Sequence, residues 1–160
     1  MESVKKGFEY IKYNALSELT PADLELVQKA MEQLPKAYAP YSGFHVGAAV
    51  RLADDSIFVG SNQENASYPL CMCGERVALY NAAANKPDVS PMTLAITIQN
   101  QKIKITEPAS PCGACRQVIS EYAFRHKQPI RILLKADSEV VYEIQSNEDL
   151  LPLGFNGSFL

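Results

Sequence analysis

Apolar positions recur at helical spacing from Leu24 through Val27, Ala30 and Met31 to Leu34, giving one apolar face. The start of that helix is written in Thr20-Pro21-Ala22-Asp23: a hydroxyl to cap it, a proline at the first helical position and an acid three after the cap. Pro35 and Pro40 then bracket an irregular stretch containing Tyr38 and Tyr41. Phe44 to Leu52 reads as a strand, Asp54-Asp55 as a turn and Ile57 to Gly60 as the returning strand of a hairpin. Residues 61–72 read as a polar loop, followed by an alanine-rich helix from Gly74 to Asn85. Met92 to Ile98 is an apolar strand. A loop with Pro108 and Pro111 leads to a second helix whose Cys115, Val118, Ile119, Tyr122 and Ala123 share a face. Ile130 to Leu134 and Val140 to Ile144 read as strands, Asn147 to Leu151 as a short helix, and Phe155 and Phe159 fall in a tail. Before all of this, Gly7 to Tyr13 reads as a short edge strand. Alternation of strands and helices without repeats or low-complexity segments predicts a layered α/β domain.

A chain of 160 residues is long enough for one domain with a self-sufficient core, and its 47% apolar content is ordinary for a globular fold. No apolar run approaches membrane-spanning length, so no membrane partner is expected. Met1-Glu2-Ser3-Val4-Lys5-Lys6 leads into polar sequence and not into the apolar core of a secretory leader, so the expectation is a cytoplasmic protein. The formal net charge of −3 and the absence of a basic stripe argue against nucleic acid as a partner.

Four cysteines in such a chain read as metal or redox chemistry before disulfides. Cys112 and Cys115 stand one helical turn apart at the start of one predicted helix, and Cys73 stands at the start of another. A helix N-terminus favours the thiolate, and three thiolates around zinc leave one tetrahedral position open, as in a catalytic site. Three thiolates on one dication leave a net charge of about −1, which weakens it as a Lewis acid. The helix ends, with Arg76 or Arg116, would draw density off the sulfurs and offset this. Glu75, two residues past Cys73, can reach the open position and move a proton there.

Other readings compete. Cys-Gly-Ala-Cys also resembles a thiol–disulfide exchange motif, but that chemistry leaves Cys73 and Glu75 without a role, and the chain has no tryptophan beside the motif. A closed structural zinc would need Cys71, whose spacing of one residue from Cys73 is too tight, and Cys71 reads instead as a small buried hydrophobe. His45 and His126 read as packing or surface residues. Taken alone, Phe44 would be core, and Asn62 and Glu64 ordinary turn residues.

Cys73-Gly74-Glu75, followed by Pro111-Cys112-Gly113-Ala114-Cys115-Arg116-Gln117-Val118, resembles the zinc-dependent cytidine deaminases. The likeness extends from Leu24 to Phe155. It takes in the segment Tyr38 to Ala49, the loop Asn62-Gln63-Glu64-Asn65-Ala66-Ser67-Tyr68, and Leu150-Leu151-Pro152 with Phe155. This resemblance implies a three-layer α/β/α fold around a mixed sheet of about five strands. It divides the chain into an N-terminal extension over 1–20 and a deaminase domain over 21–160. It implies hydrolytic deamination of cytidine and deoxycytidine to uridine and deoxyuridine plus ammonia, in pyrimidine salvage. One zinc per chain would be held by Cys73, Cys112 and Cys115, with Glu75 as proton shuttle. Phe44 would stack on the base, the main chain at Gly74 would contact it, Asn62 and Glu64 would bind a ribose hydroxyl, and Arg76 would hydrogen-bond the ligand sulfurs. The resemblance also implies a homotetramer in which Tyr68 and Phe155 complete pockets on neighbouring subunits.

The chain departs from the family pattern at Gly74, where alanine is usual, and at Asp55, where the hairpin usually has glycine. Two further functions stay open: action on another aminated heterocycle such as a nucleoside antibiotic, and a zinc-stabilised binding module without turnover. Glu75 argues against the second.

Overall fold

Along the longest strands successive side chains point to opposite faces, and the two faces receive different helices. The computed structural model describes all 160 residues. In chain order the elements are β1 (Ile11–Tyr13), α1 (Pro21–Met31), β2 (Phe44–Leu52), β3 (Ile57–Ser61), α2 (Gly74–Asn85), β4 (Pro91–Asn100), α3 (Gly113–His126), β5 (Arg131–Lys135) and β6 (Val141–Ile144). They form one six-stranded sheet in the order β1-β6-β5-β4-β2-β3. Only β4 and β5 pair in parallel; the other neighbours are antiparallel.

On one face Val46, Ala48, Val50, Leu94, Ile96, Ile132 and Leu134 pack with Ala78, Leu79 and Ile119 of α2 and α3. On the other, Ala49, Ala95 and Leu133 pack with Leu26, Val27 and Ala30 of α1. This is the three-layer α/β/α arrangement, with six strands where about five were expected. The strand beyond the five that the resemblance implies is the edge strand read over Gly7 to Tyr13, shortened to Ile11–Tyr13; it pairs with β6 through Ile11–Glu143, Lys12–Tyr142 and Tyr13–Val141 and covers an edge that would otherwise be open.

A buried charge network holds that edge. Arg131 on β5 pairs with Asp23 in the first turn of α1 and, at 2.8 Å, with Glu143 on β6. The Tyr13 hydroxyl donates to Glu143 at 2.6 Å, and this bond pushes the phenol up to about 12. Asp23 therefore serves twice, since its backbone N–H also donates to the Thr20 hydroxyl that caps α1.

The helices that carry the cysteines are seated by glycine. β2 is antiparallel to both β3 and β4, so β3 and β4 run the same way, and α2 and α3, which follow them, both begin at the same end of the sheet. A Cβ on Gly60 would stand 2.4 Å from Ala78 N, and one on Gly74 would stand 2.8 Å from Val46 O. The start of α2 thus lies directly against the β2–β3 hairpin. At the hairpin turn Asp55 adopts φ of 64°, a left-handed conformation that glycine takes more readily. Two expected helices shrink: Pro35 stops α1 short of Leu34, and Asn147–Asp149 is a single 3-10 turn.

Arg131→Met leaves Asp23 and Glu143 buried without a counter-charge and should cost about 3–5 kcal/mol in urea unfolding. Asp55→Val should cost about 1–2 kcal/mol in the same measurement, whereas Asp55→Gly should be tolerated.

Candidate active site

Cys73 is the N-cap residue of α2 and Cys112 that of α3, and neither side chain caps its own helix. Cys115 lies one turn into α3 and is fully buried. The sulfurs of Cys73, Cys112 and Cys115 lie within 4.8 Å of one another, with Cys112 and Cys115 at 3.5 Å. One Nη of Arg76 lies 3.5 Å from the Cys73 sulfur. A hydrogen bond from Cys115 and the Arg76 guanidinium hold the Cys73 thiol well below the usual thiol range. Cys115 is pushed the other way, because its sulfur faces that of Cys73 and is buried. Sulfurs this close resist carrying negative charge together, and a divalent cation would offset that repulsion. Three converging soft donors with no fourth protein ligand fit zinc with one open coordination position.

Glu75 sits in the first turn of α2, 4% exposed, and its Oε2 has no hydrogen-bond partner. Burial pushes its carboxyl above the usual range. An unpaired buried carboxyl oxygen beside a sulfur cluster is suited to exchange a proton with whatever enters the open position. Of the two arginines the sequence leaves open, Arg76 reaches a sulfur. Arg116 instead donates from Nε to Pro111 O at 2.7 Å and from Nη1 to Leu150 O at 3.1 Å. It braces the turn before Cys112 against the C-terminal segment.

The remaining predicted residues gather on the start of β2. Phe44 opens that strand, half-buried against the α2–α3 side of the core. Asn62 Oδ1 accepts from Val46 N at 2.8 Å, and its Nδ2 donates to Phe44 O at 2.9 Å, which leaves one amide hydrogen uncommitted. Gly74 abuts Val46 as well. Glu64 Oε2 accepts from Tyr41 N at 2.8 Å and Ser42 N at 3.3 Å, while its Oε1 accepts from the Ser42 hydroxyl. These bonds, Ser42's first among them, lower the Glu64 carboxyl.

Tyr68 and Phe155 are exposed rings, Tyr68 edge-on to Tyr41 at 6.0 Å and Phe155 stacked on Phe159 at 5.7 Å. Cys71 is not the buried hydrophobe expected. It is half-buried, and its sulfur accepts from Asn65 N at 3.2 Å and donates to Asn65 O at 3.6 Å, closing the loop between them. His45 Nδ1 bonds Leu34 O at 2.9 Å, and burial in the last turn of α3 lowers His126; neither joins the cluster. A hollow of about 620 Å³ is lined by α3 residues such as Ser120 and Phe124, by Lys6 and by Leu151 to Gly154, and by none of the cysteines. The chemistry lies elsewhere. Ser42 was not singled out in the sequence; a serine beside Gly43 reads there only as a turn residue.

The family model for the cytidine and deoxycytidylate deaminase zinc-binding region matches residues 21–128. A cytidine deaminase of Halalkalibacterium halodurans is 42% identical over 97 residues, covering 60% of this chain and 68% of that protein. The crystal structure of a cytidine deaminase from Burkholderia pseudomallei superposes with a TM-score of 0.71 at 40% identity, covering 82% of this chain and 97% of that one. A blasticidin-S deaminase of Bacillus cereus is 27% identical over 139 residues, 86% of this chain and 94% of that protein.

Cys73→Ala, Cys112→Ala and Cys115→Ala should each weaken zinc binding, read by chelator competition, by more than about 100-fold. Arg76→Gln should weaken it by about 10–100-fold, as loss of an outer hydrogen bond does. Cys71→Ala should leave it unchanged.

Proposed function

The chain belongs to the cytidine and deoxycytidylate deaminase family, and on that premise we propose that it hydrolyses cytidine and deoxycytidine to uridine and deoxyuridine with release of ammonia, as a step of pyrimidine salvage. The observation that carries the reading is Glu75: a buried carboxyl with an unpaired oxygen, in the same helical turn as a cysteine of the three-sulfur cluster.

Cys73, Cys112 and Cys115 are the zinc ligands in this reading, one ion per chain, and the bound ion supplies the Lewis acidity that brings water toward ionisation at neutral pH. Glu75 accepts a proton from the attacking water and passes it to N3 of the cytosine ring. It then takes the second proton from the hydroxyl formed at C4 and delivers it to the amino group, which departs as ammonia. One oxygen enters, one nitrogen leaves, and the carboxylate is regenerated. Its raised proton affinity suits a group that must both accept and return a proton. Arg76 draws density from the Cys73 sulfur.

Phe44 stacks on the base and the backbone of Gly74 contacts it. Asn62 keeps one free amide hydrogen, and Glu64 has acceptor capacity beyond its three bonds. One sugar hydroxyl can engage both, which accommodates ribose and deoxyribose alike. The exposed rings of Tyr68 and Phe155 support a homotetramer in which they reach neighbouring pockets. Residues 1–20 are assigned as an extension and 21–160 as the deaminase domain, which the start of the family match at residue 21 supports. Four free cysteines suit a reducing compartment such as the cytoplasm, and no helix is long and apolar enough to cross a membrane.

The likeness to a blasticidin-S deaminase favours a second reading, action on an aminated nucleoside antibiotic. A panel of cytidine, deoxycytidine and blasticidin S, followed by ultraviolet absorbance and ammonia release, separates the two. Turnover of cytidine is expected; turnover of blasticidin S alone would overturn the assignment. Glu75→Gln should retain zinc and lose on the order of 10²–10⁴-fold in kcat. Light scattering on the purified chain should give a mass of about four protomers, and Phe155→Ala should raise the KM for cytidine.

A further inference from the structure

The base platform and the sugar carboxylate of the reading above are joined by a single hydroxyl. Ser42 Oγ accepts a hydrogen bond from Phe44 N at 2.9 Å and donates one to Glu64 Oε1. The backbone closes the same circuit: Tyr41 N and Ser42 N both donate to Glu64 Oε2. Gly43, at φ of 67°, turns the chain between Ser42 and Phe44. The two loops are laced together at their base, where Glu64 N donates to Tyr38 O at 2.8 Å and Tyr38 N to Asn62 O at 3.0 Å.

Each half of this arrangement is common by itself. A serine often bonds the N–H two residues on to close a turn, and a carboxylate often caps free N–H groups of a loop. Neither requires the other. Here one oxygen does both, so displacing Glu64 disturbs the backbone at Phe44, and the reverse. A half-buried glutamate on a loop would otherwise sample several rotamers, and ordering it during substrate binding would cost entropy. Three donors fix it beforehand while leaving capacity for a ligand hydroxyl.

We propose that Ser42 is a positioning residue that locks the base-stacking Phe44 and the sugar-binding Glu64 into one register, so that the pocket recognises base and sugar together and selects nucleosides. The inference rests on the function proposed above. Ser42 touches no substrate atom; it acts through Glu64 and Phe44, so it governs binding more than the proton transfers at Glu75.

The test uses the zinc-loaded full chain and four variants: Ser42→Ala, Ser42→Thr, Glu64→Gln and the double variant Ser42→Ala/Glu64→Gln. Steady-state kinetics with cytidine are read beside zinc content and thermal midpoint. Ser42→Ala should raise KM about tenfold, the effect of a lost bond to a charged group, with kcat within about twofold and zinc content unchanged. Ser42→Thr keeps the oxygen and should restore the KM. The double variant should be no worse than Glu64→Gln, because the two residues act as a unit. A wild-type KM in Ser42→Ala, or KM effects of the two single changes that multiply, would overturn the proposal while cytidine turnover by the wild-type chain upholds the reading it rests on. A fall in kcat and zinc content without a KM effect would likewise show a merely structural serine. A wild-type chain that neither turns over nor binds pyrimidine nucleosides would overturn both.

Discussion

Everything at this site depends on holding three sulfurs closer together than unassisted thiolates would accept. The fold achieves it with direction: β3 and β4 run the same way, so the helices that follow them begin side by side, and each begins with a cysteine. Two positive helix ends and the Arg76 guanidinium then face a cluster of negative charge. The opposed shifts of Cys73 and Cys115 arise first from the hydrogen bond between their two sulfurs.

The start of β2 is the second fixed point. Its backbone at Phe44 and Val46 is bonded by the Asn62 side chain, and its Val46 carbonyl is approached by Gly74 closely enough to exclude a methyl group without a shift. The side chains assigned to substrate are therefore also parts of the scaffold. Arg116 does the same for the turn before Cys112. Such sharing makes a rigid pocket from loops, since the bonds that orient each side chain are the bonds that order the chain.

The sequence made some of this legible and concealed the rest for physical reasons. α1 was readable because Thr20, Pro21 and Asp23 combine a cap, a fixed φ and a favourable charge at the helix start, and the structure uses all three. The starts of α2 and α3 were readable from cysteines whose chemistry requires proximity. β1 was only a faint signal: three residues do not establish a period, and what holds them is pairing with β6 and the Tyr13–Glu143 bond, more than a hundred positions away. Cys71 was misread because a sulfur's burial depends on a loop closure at Asn65 that composition does not encode. Asn62 and Glu64 could be named as candidate contacts, but not their second task of bonding backbone on another segment. The resemblance to a family supplied roles that spacing alone left open.

The two halves of the sulfur cluster also differ in how soon a growing chain can assemble them. Cys112 and Cys115 are neighbours within one helical turn, so the pair exists as soon as the start of α3 forms. Cys73 joins them only after the β2–β3 hairpin has received α2 and β4 has been laid between β2 and β5. A divalent ion would meet two sulfurs where only the start of α3 has formed, and three once the sheet has brought Cys73 beside them. Two-sulfur binding would therefore need one helix end, whereas three-sulfur binding would need the finished sheet.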